Sequence, residues 1–455
     1  MTPRAARAVF AATMAVAIAI RLVLVFLTPY GHLVRNRLEG LNDEPAHMNY
    51  IRALATTHRF PVQTHHAAEP GAFDRADFEY YQPPLAHLID VPVVWIAGTH
   101  AILACRLVSF VFGLLTLLVL DRVLGRLGGS TTVRRLGVAF LALLPVHAYF
   151  TSLISNDALT WLIAFLLTHQ LLVLLSGAGG SASGFRPWIH VRLGLLLGAG
   201  LLVKSSIVMF VPLIVLADAW IAWTSRRAGR MAGSVVALAI GAAIAAPWYA
   251  RNLAVYHSLF ALQVGFGPPL AGRSSVTSLA QTLIGTVRYF WMPMAHIPGG
   301  PWVHDLRAFS AGLLILHAVA ALIWLRRAGA ALQVDHAGAA LQVDHADAAL
   351  QVDHAGAALQ VDHAGAALQV DHAAWDAGLA LLVASFVAAA AAQIALNLHW
   401  AEAEGRFLLP AAPAIVLFIV QPTVAVCGRL RNGDAVAWAW VTALALHPYL
   451  LLLFV

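Results

Sequence analysis

Charge is what this chain has least of. Asp, Glu, Lys and Arg make up 11% of its 455 residues, where soluble domains carry about 25%. Such a composition cannot cover a water-facing surface. With 60% hydrophobic residues and a mean hydropathy of +0.77, it reads as a polytopic membrane protein. Cysteine is nearly absent as well. Its two thiols, Cys105 and Cys427, fall near opposite membrane faces in the span pattern below, which argues against a disulfide and gives no redox signature. No long polar segment follows the last apolar run, so no large soluble C-terminal domain is expected. The net charge of +6 does not point to nucleic acid, because the arginines sit in short clusters between apolar runs, where they set topology.

What the chain has in abundance is apolar runs of spanning length. They lie at 9–28, 104–121, 136–152, 157–175, 232–248, 306–325, 377–397, 407–425 and 435–454. The first follows Arg4 and Arg7 and ends in Thr-Pro-Tyr, not in the small residues of a cleavage site, so it reads as a retained span. The segment 191–223 is too long for one span and fits two short helices hinged at Lys204-Ser205-Ser206. Half-length helices are allowed only where protein or a water-filled cavity satisfies the hinge backbone. The expected fold is therefore all-α, a single membrane-embedded domain over 1–455 with about eleven spans. Eleven spans put the arginine clusters at 4–7, 122–135, 186, 226–230, 326–327 and 429–431 on one side. The positive-inside rule makes that side, and the N-terminus, cytoplasmic in an inner (plasma) membrane protein. The other side receives the loops 30–103, 249–305 and 398–406, with nearly every acidic residue outside the repeat described next. Polar chemistry is thus expected on the extracytoplasmic face.

Between Arg327 and Trp375 runs a tandem repeat, A-G-A-A-L-Q-V-D-H, in five copies over 328–372, with Asp347 replacing one glycine. Its Asp-His pairs invite a metal-binding reading that the period opposes. Nine residues advance a helix by about 900°, so successive copies point to opposite faces. A strand would alternate faces too, because nine is odd. A calcium-binding nonapeptide needs a glycine-rich turn, and each copy here has at most one glycine. The near-identity of the copies reads as duplicated coding DNA in a cytoplasmic loop, where insertions cost little.

The stretch L-N-D-E-P-A-H-M-N-Y, at 41–50, concentrates charge just after the first span. A helix beginning near Pro45 places Asp43 and Glu44 at its positive end, and Glu44 and His47 then share a face. Read alone, this is a capped juxtamembrane helix. Its company suggests more. Arg21 lies inside the first span, Lys204 at the apex of the broken helix, and Arg406 in A-E-G-R-F-L-L-P at the mouth of a later span. Arg21 alone also reads as a residue snorkelling to the outer interface. Three cations at outer-half depth below acidic residues suggest a site for a phosphate-bearing lipid. E-Y-Y-Q-P-P-L-A-H-L, at 79–88, reads as an interfacial helix with Tyr80 and Tyr81 at headgroup level. S-N-D-A-L, at 155–159, reads as a turn in which Asn156 or Asp157 caps the next helix. In P-W-Y-A-R-N, at 247–252, Arg251 and the aromatics anchor the end of a span.

In order and spacing these segments resemble the GT-C superfamily of membrane glycosyltransferases, such as the protein O-mannosyltransferases, aminoarabinose transferases and related bacterial proteins. The shared pattern is an acidic motif after the first span (Asp43-Glu44), a P-P-L segment (Pro83-Pro84-Leu85), an N-D-A-L turn, a lysine in a broken helical pair (Lys204), R-N after a middle span (Arg251-Asn252), and R-F-L-L-P near the end (Arg406 to Pro410). It covers most of the chain apart from the repeat. The resemblance implies a sugar donor on a polyprenyl phosphate or diphosphate, and an acceptor glycan, lipid or protein. It implies hexosyl or pentosyl transfer on the outer face. The acidic pair would act as general base or through a divalent ion such as Mg or Mn, with Asp43 first and Glu44 second as catalytic residue and Asp74, Asp77 and Glu79 as further contributors. Arg21, Lys204, Arg251, Arg406, Tyr81 and His47 would contact substrate. Two other readings compete. Broken helices and buried cations also occur in transporters and flippases, although no internal repeat of the span pattern is seen here. An integral metallohydrolase would use Glu44, His47 and His65/His66, whose spacing matches no zinc signature.

Overall fold

The computed structural model describes residues 2–30, 43–67, 69, 71, 75–176, 187–267, 276–291, 372–400, 405–428, 430 and 432–453. Every regular element among them is helical. The apolar run 306–325 and repeat residues 328–371 lie outside the described residues.

The first helix, α1 (Pro3–Leu27), starts where Thr2 accepts from the Ala5 amide at 3.3 Å and a proline occupies the first turn. Its exposed Val16, Val23, Phe26 and Leu27 suit hydrocarbon, not water. α2 (Glu44–Thr57) begins at Asp43 and ends at His58, which adopts a left-handed conformation with φ 54°. The P-P-L segment opens α3 (Leu85–Ala97), which packs along α2. Instead of ending as a separate surface helix, it runs through Gly98 (φ 53°) and one 3₁₀ turn into α4 (Ala101–Arg126). Only glycine takes that backbone turn without strain.

The run read as one span at 136–152 is two helices, α5 (Thr131–Leu143) and α6 (Pro145–Phe150). Proline supplies no amide hydrogen and crowds the preceding turn, so α5 stops at Leu144. Its last carbonyls then need partners, and Arg21 supplies one. The fully buried guanidinium donates to Ala142 O at 2.5 Å and to its own turn at Ala17 O at 3.0 Å, and it meets His147 Nδ1 at 2.7 Å. These bonds offset the several kcal/mol that an arginine at that depth costs. The expectation that Arg21 faces a cavity and holds an anion is corrected: it braces a helix break.

α7 (Asp157–Ser176) runs through the centre of the bundle, buried along most of its length. α8 (Pro187–Leu201) ends just before Lys204, which is extended, and a 3₁₀ segment Ser205–Met209 leads into α9 (Phe210–Ser225). The break therefore falls at the expected lysine. α8 lies tightly on α10 (Ala232–Tyr256), where any Cβ at Gly198 would sit 2.7 Å from Ile244. A short α11 (Leu262–Phe266) and α12 (Val276–Trp291) follow, then α13 (His372–Trp400). A 3₁₀ segment Gly405–Ala411 carries Arg406 and leads into α14 (Ala412–Cys427) and α15 (Gly433–Leu453). Cys105 and Cys427 are both buried and unbonded. Among the described residues seven helical stretches are long and apolar enough to cross a membrane, so the chain is an all-α integral membrane protein.

Candidate functional site

Asp43 and Glu44 are adjacent, and α2 turns their side chains to different neighbours. Glu44 is fully buried and accepts two parallel bonds from Arg106, at 2.7 and 2.6 Å, and a third from the Ile154 amide at 3.0 Å. Arg106 also donates to Val25 O at 2.9 Å and Thr28 O at 2.8 Å. This knot ties the end of α1 to α2, α4 and the turn before α7. A bidentate guanidinium–carboxylate pair is the strongest ionic geometry available to the chain. Glu44 does not line the cavity described below.

Asp43 stands at the N-cap but makes no cap hydrogen bond. Its Oδ2 instead meets Arg406 Nη2 at 3.2 Å and His47 Nε2 at 3.8 Å. Arg406 is sandwiched near the Phe150 and Phe407 rings, 4.7 and 5.4 Å from their centroids. Its other nitrogen, Nη1, lies 3.4 Å from Asp157 Oδ2. Asp157 in turn binds Lys204 Nζ at 2.5 Å, and Lys204 reaches Asn156 Oδ1 at 3.3 Å. Residues from α2, the turn before α7, the break after α8 and the segment before α14 thus form one chain of alternating charge. The turn that read as a simple cap does different work: Asp157 spends its carboxylate on two cations.

These groups line a cavity of about 290 Å³. Its lining is polar at Asp43, Glu79, Asn156, Lys204 and Arg406 and apolar at Phe266, Ala389 and Leu396, among others. Glu79 is 6% exposed, and its Oε2 has no hydrogen-bond partner among the described residues. Burial, reinforced by the Asp43 charge, pushes its carboxyl up to about 8. Asp43 goes the other way. Burial works to raise it, but Arg406, His47 and Lys204 prevail and hold it well below the usual carboxylate range. The cavity therefore presents one ionised and one protonated carboxyl near neutral pH.

Asp43, His47 and Glu79 each offer a ligand atom within 4.8 Å of the others, the only such cluster among the described residues. Two carboxylate oxygens and an imidazole suit a divalent ion. The unpartnered Glu79 oxygen fits that use. So does the hydrogen bond between His47 Nδ1 and His87 Nε2 at 3.0 Å, which orients the ring.

The remaining residues divide. Tyr81 lines the cavity, its ring against Gly265 and Phe266 and its amide bonded to Gln63 Oε1 at 3.1 Å. Arg251 does not line it. That guanidinium stacks 4.7 Å over Trp248 and donates to Pro61 O at 2.7 Å, which anchors the first loop to α10. The histidines of the hydrolase reading are scattered: His65 pairs with Asp77 at 3.1 Å, His66 lies 3.6 Å from Glu69, and neither joins His47 and Glu44. Asp74 lies outside the described residues. Sequence reasoning did not reach Arg106, His87 or the ionic role of Asp157. The available signal for Asp157 was a carboxylate facing, one helical hairpin later, the chain's only lysine, Lys204.

Comparison with protein-family models finds no match, and no curated protein matches in sequence. Solved structures do match in fold. ArnT from Cupriavidus metallidurans, bound to undecaprenyl phosphate, is similar over 96% of this chain and 75% of its own, with 14% identity and a TM-score of 0.50. The Archaeoglobus fulgidus oligosaccharyltransferase, in complex with Zn and sulfate, is similar over 94% of this chain and 53% of its own, with 13% identity and a TM-score of 0.48. The chain spans about half the length of that second protein. At these identities the likeness is one of fold alone.

Proposed function

We propose that this protein is a glycosyltransferase that moves a hexosyl or pentosyl group from a polyprenyl-phosphate-type lipid to an acceptor hydroxyl on the extracytoplasmic face of the plasma membrane. The observation that carries the reading is the cavity in which the Asp43 carboxylate stands beside Arg406 and near Lys204, with apolar residues in the same lining. The fold shared with ArnT, whose structure holds undecaprenyl phosphate, supports the donor class.

The chemistry follows from the two charge types. The acceptor oxygen attacks C1 of the sugar while Asp43 takes the hydroxyl proton, a role worth about 10²–10⁴ in rate. The bond from C1 to the phosphate oxygen breaks, and its electron pair stays on the phosphate. Arg406 and Lys204 stabilise that growing charge, and the apolar lining strengthens their effect by excluding water. Its neighbours keep Asp43 ionised, the form that can accept a proton. Glu44 we assign to architecture, and Arg21 and Arg251 to bracing. Tyr81 packs beside the sugar. Asp43, His47 and Glu79 would hold a divalent ion, Mg or Mn, which would supply positive charge to the donor phosphate. The acceptor is a glycan, lipid or protein that presents a hydroxyl.

The test is transfer from a labelled polyprenyl-phosphate sugar by the full-length protein in vesicles. Wild type should transfer and Asp43→Asn should not, while the variant stays folded in the membrane. Undiminished transfer by folded Asp43→Asn would remove Asp43 from the reaction.

A further inference from the structure

The charges around the cavity bear on the kind of phosphate that it favours. Two cations reach the cavity, Lys204 and Arg406, and no third does among the described residues. Asp157, only 2% exposed, touches both, at 2.5 Å and 3.4 Å. Asp43 holds Arg406 at 3.2 Å. Two positive and two negative charges balance, and Glu79 adds no positive charge in either protonation state. A sugar joined to a polyprenol through one phosphate brings one negative charge, and through a diphosphate it brings two. Against the apolar lining of Phe266, Ala389 and Leu396 each uncompensated charge is poorly screened.

The identity of residue 157 sharpens the point. Asparagine caps a helix as well as aspartate does, and its carbonyl would still accept from Lys204. What the carboxylate adds is negative charge, placed where it cancels part of the cation pair. Building in repulsion against a more highly charged competitor is a recognised route to specificity.

We infer that, with no divalent ion bound, the site favours donors linked through a single phosphate over diphosphate-linked donors, and that Asp157 sets this preference. The inference rests on the donor reading above. Asp157 touches no reacting atom; it positions the two cations and fixes their net charge.

The experiment measures binding of two polyprenyl lipids that carry the same sugar, one linked through a single phosphate and one through a diphosphate, to the full chain in nanodiscs, with EDTA present so that no divalent ion adds charge. Wild type should bind the diphosphate at least tenfold more weakly. Asp157→Asn should narrow or reverse that ratio. Asn156→Asp, which adds a negative charge beside Lys204, should widen it, and this variant serves if Asp157→Asn does not fold. Equal binding of both lipids by wild type, or an unchanged ratio in a folded variant, overturns the charge preference and leaves the donor reading intact. Binding of neither lipid overturns both.

Discussion

Two ionic assemblies meet at the start of α2, one built on Glu44 and the other on Asp43, and they are finished to different degrees. Around Glu44 the accounting is complete: Arg106 donates twice to the carboxylate and twice to backbone carbonyls, and the Ile154 amide takes a further place on Oε1. Around Asp43 the groups are shared out thinly. Arg406 divides itself between two carboxylates, and the neighbouring Glu79 has an oxygen with no partner among the described residues. A saturated buried pair adds rigidity and offers nothing to a ligand. A loosely satisfied set beside a cavity holds unmet electrostatic demand that a substrate can fill. Adjacent acidic residues can therefore belong to architecture and chemistry respectively.

The largest effect should come from the open assembly. Asp43→Asn is expected to lower transfer by about 10²–10⁴ with little change in thermal unfolding, read by parallel transfer and melting assays in vesicles. The closed assembly should respond the opposite way. Glu44→Gln leaves the Arg106 charge buried without its counter-ion, and removing one partner of such a pair costs about 3–5 kcal/mol. Its melting temperature should fall sharply while transfer per folded molecule stays within a few-fold of wild type. If Glu44→Gln kept its stability and lost transfer, the assignment of the two assemblies would have to be exchanged.

A gentler probe is pH. The Glu79 carboxyl is pushed up to about 8 in the folded protein from an ordinary 4.5. Its protonated form is the one the fold accommodates, so its contribution to stability is full below 4.5 and is lost as pH rises through about 8. In metal-free buffer Glu79→Gln should melt like wild type at pH 5 and higher than wild type at pH 9. A constant difference across that range would show that Glu79 does not titrate there. Smaller still should be the response to a divalent ion. Mn should raise the melting temperature of wild type by mass action and leave that of Glu79→Gln unmoved, with Mn electron paramagnetic resonance as the independent check. The least effect is expected from deleting residues 328–372, after which transfer should be nearly intact; a large loss would give the repeat a role.

Much of this architecture could be read from local pattern. Run lengths of apolar residues mark most of the helices, the helix break at Lys204 shows as a polar trio inside an overlong run, and Pro45 beside two acids marks the start of α2. The division of labour between Asp43 and Glu44 could not be read that way, because both carry the same local credentials. What separates them is Arg106, 62 residues from Glu44, and Arg406, 363 residues from Asp43. Arg21 misled for a related reason. A cation in a span signals a need for partners but not which ones, and the carbonyls freed by Pro145 are as good a sink as a phosphate. Asp157 was discounted because its position suits a cap, and position alone does not reveal that a side chain has been drawn elsewhere.

The bond between Asp43 and Arg406 also bears on how the protein comes into being. A membrane protein enters the bilayer from its N-terminus, helix by helix, so the carboxylate is in place long before its guanidinium partner has been synthesised. Until Gly405–Ala411 has emerged and packed against the turn ahead of α7, Asp157 and Lys204 have each other, but Asp43 lacks the cation that holds it in the cavity wall. The pocket is thus completed among the last steps of insertion, and a chain stalled partway would carry most of the helices and none of the assembled site.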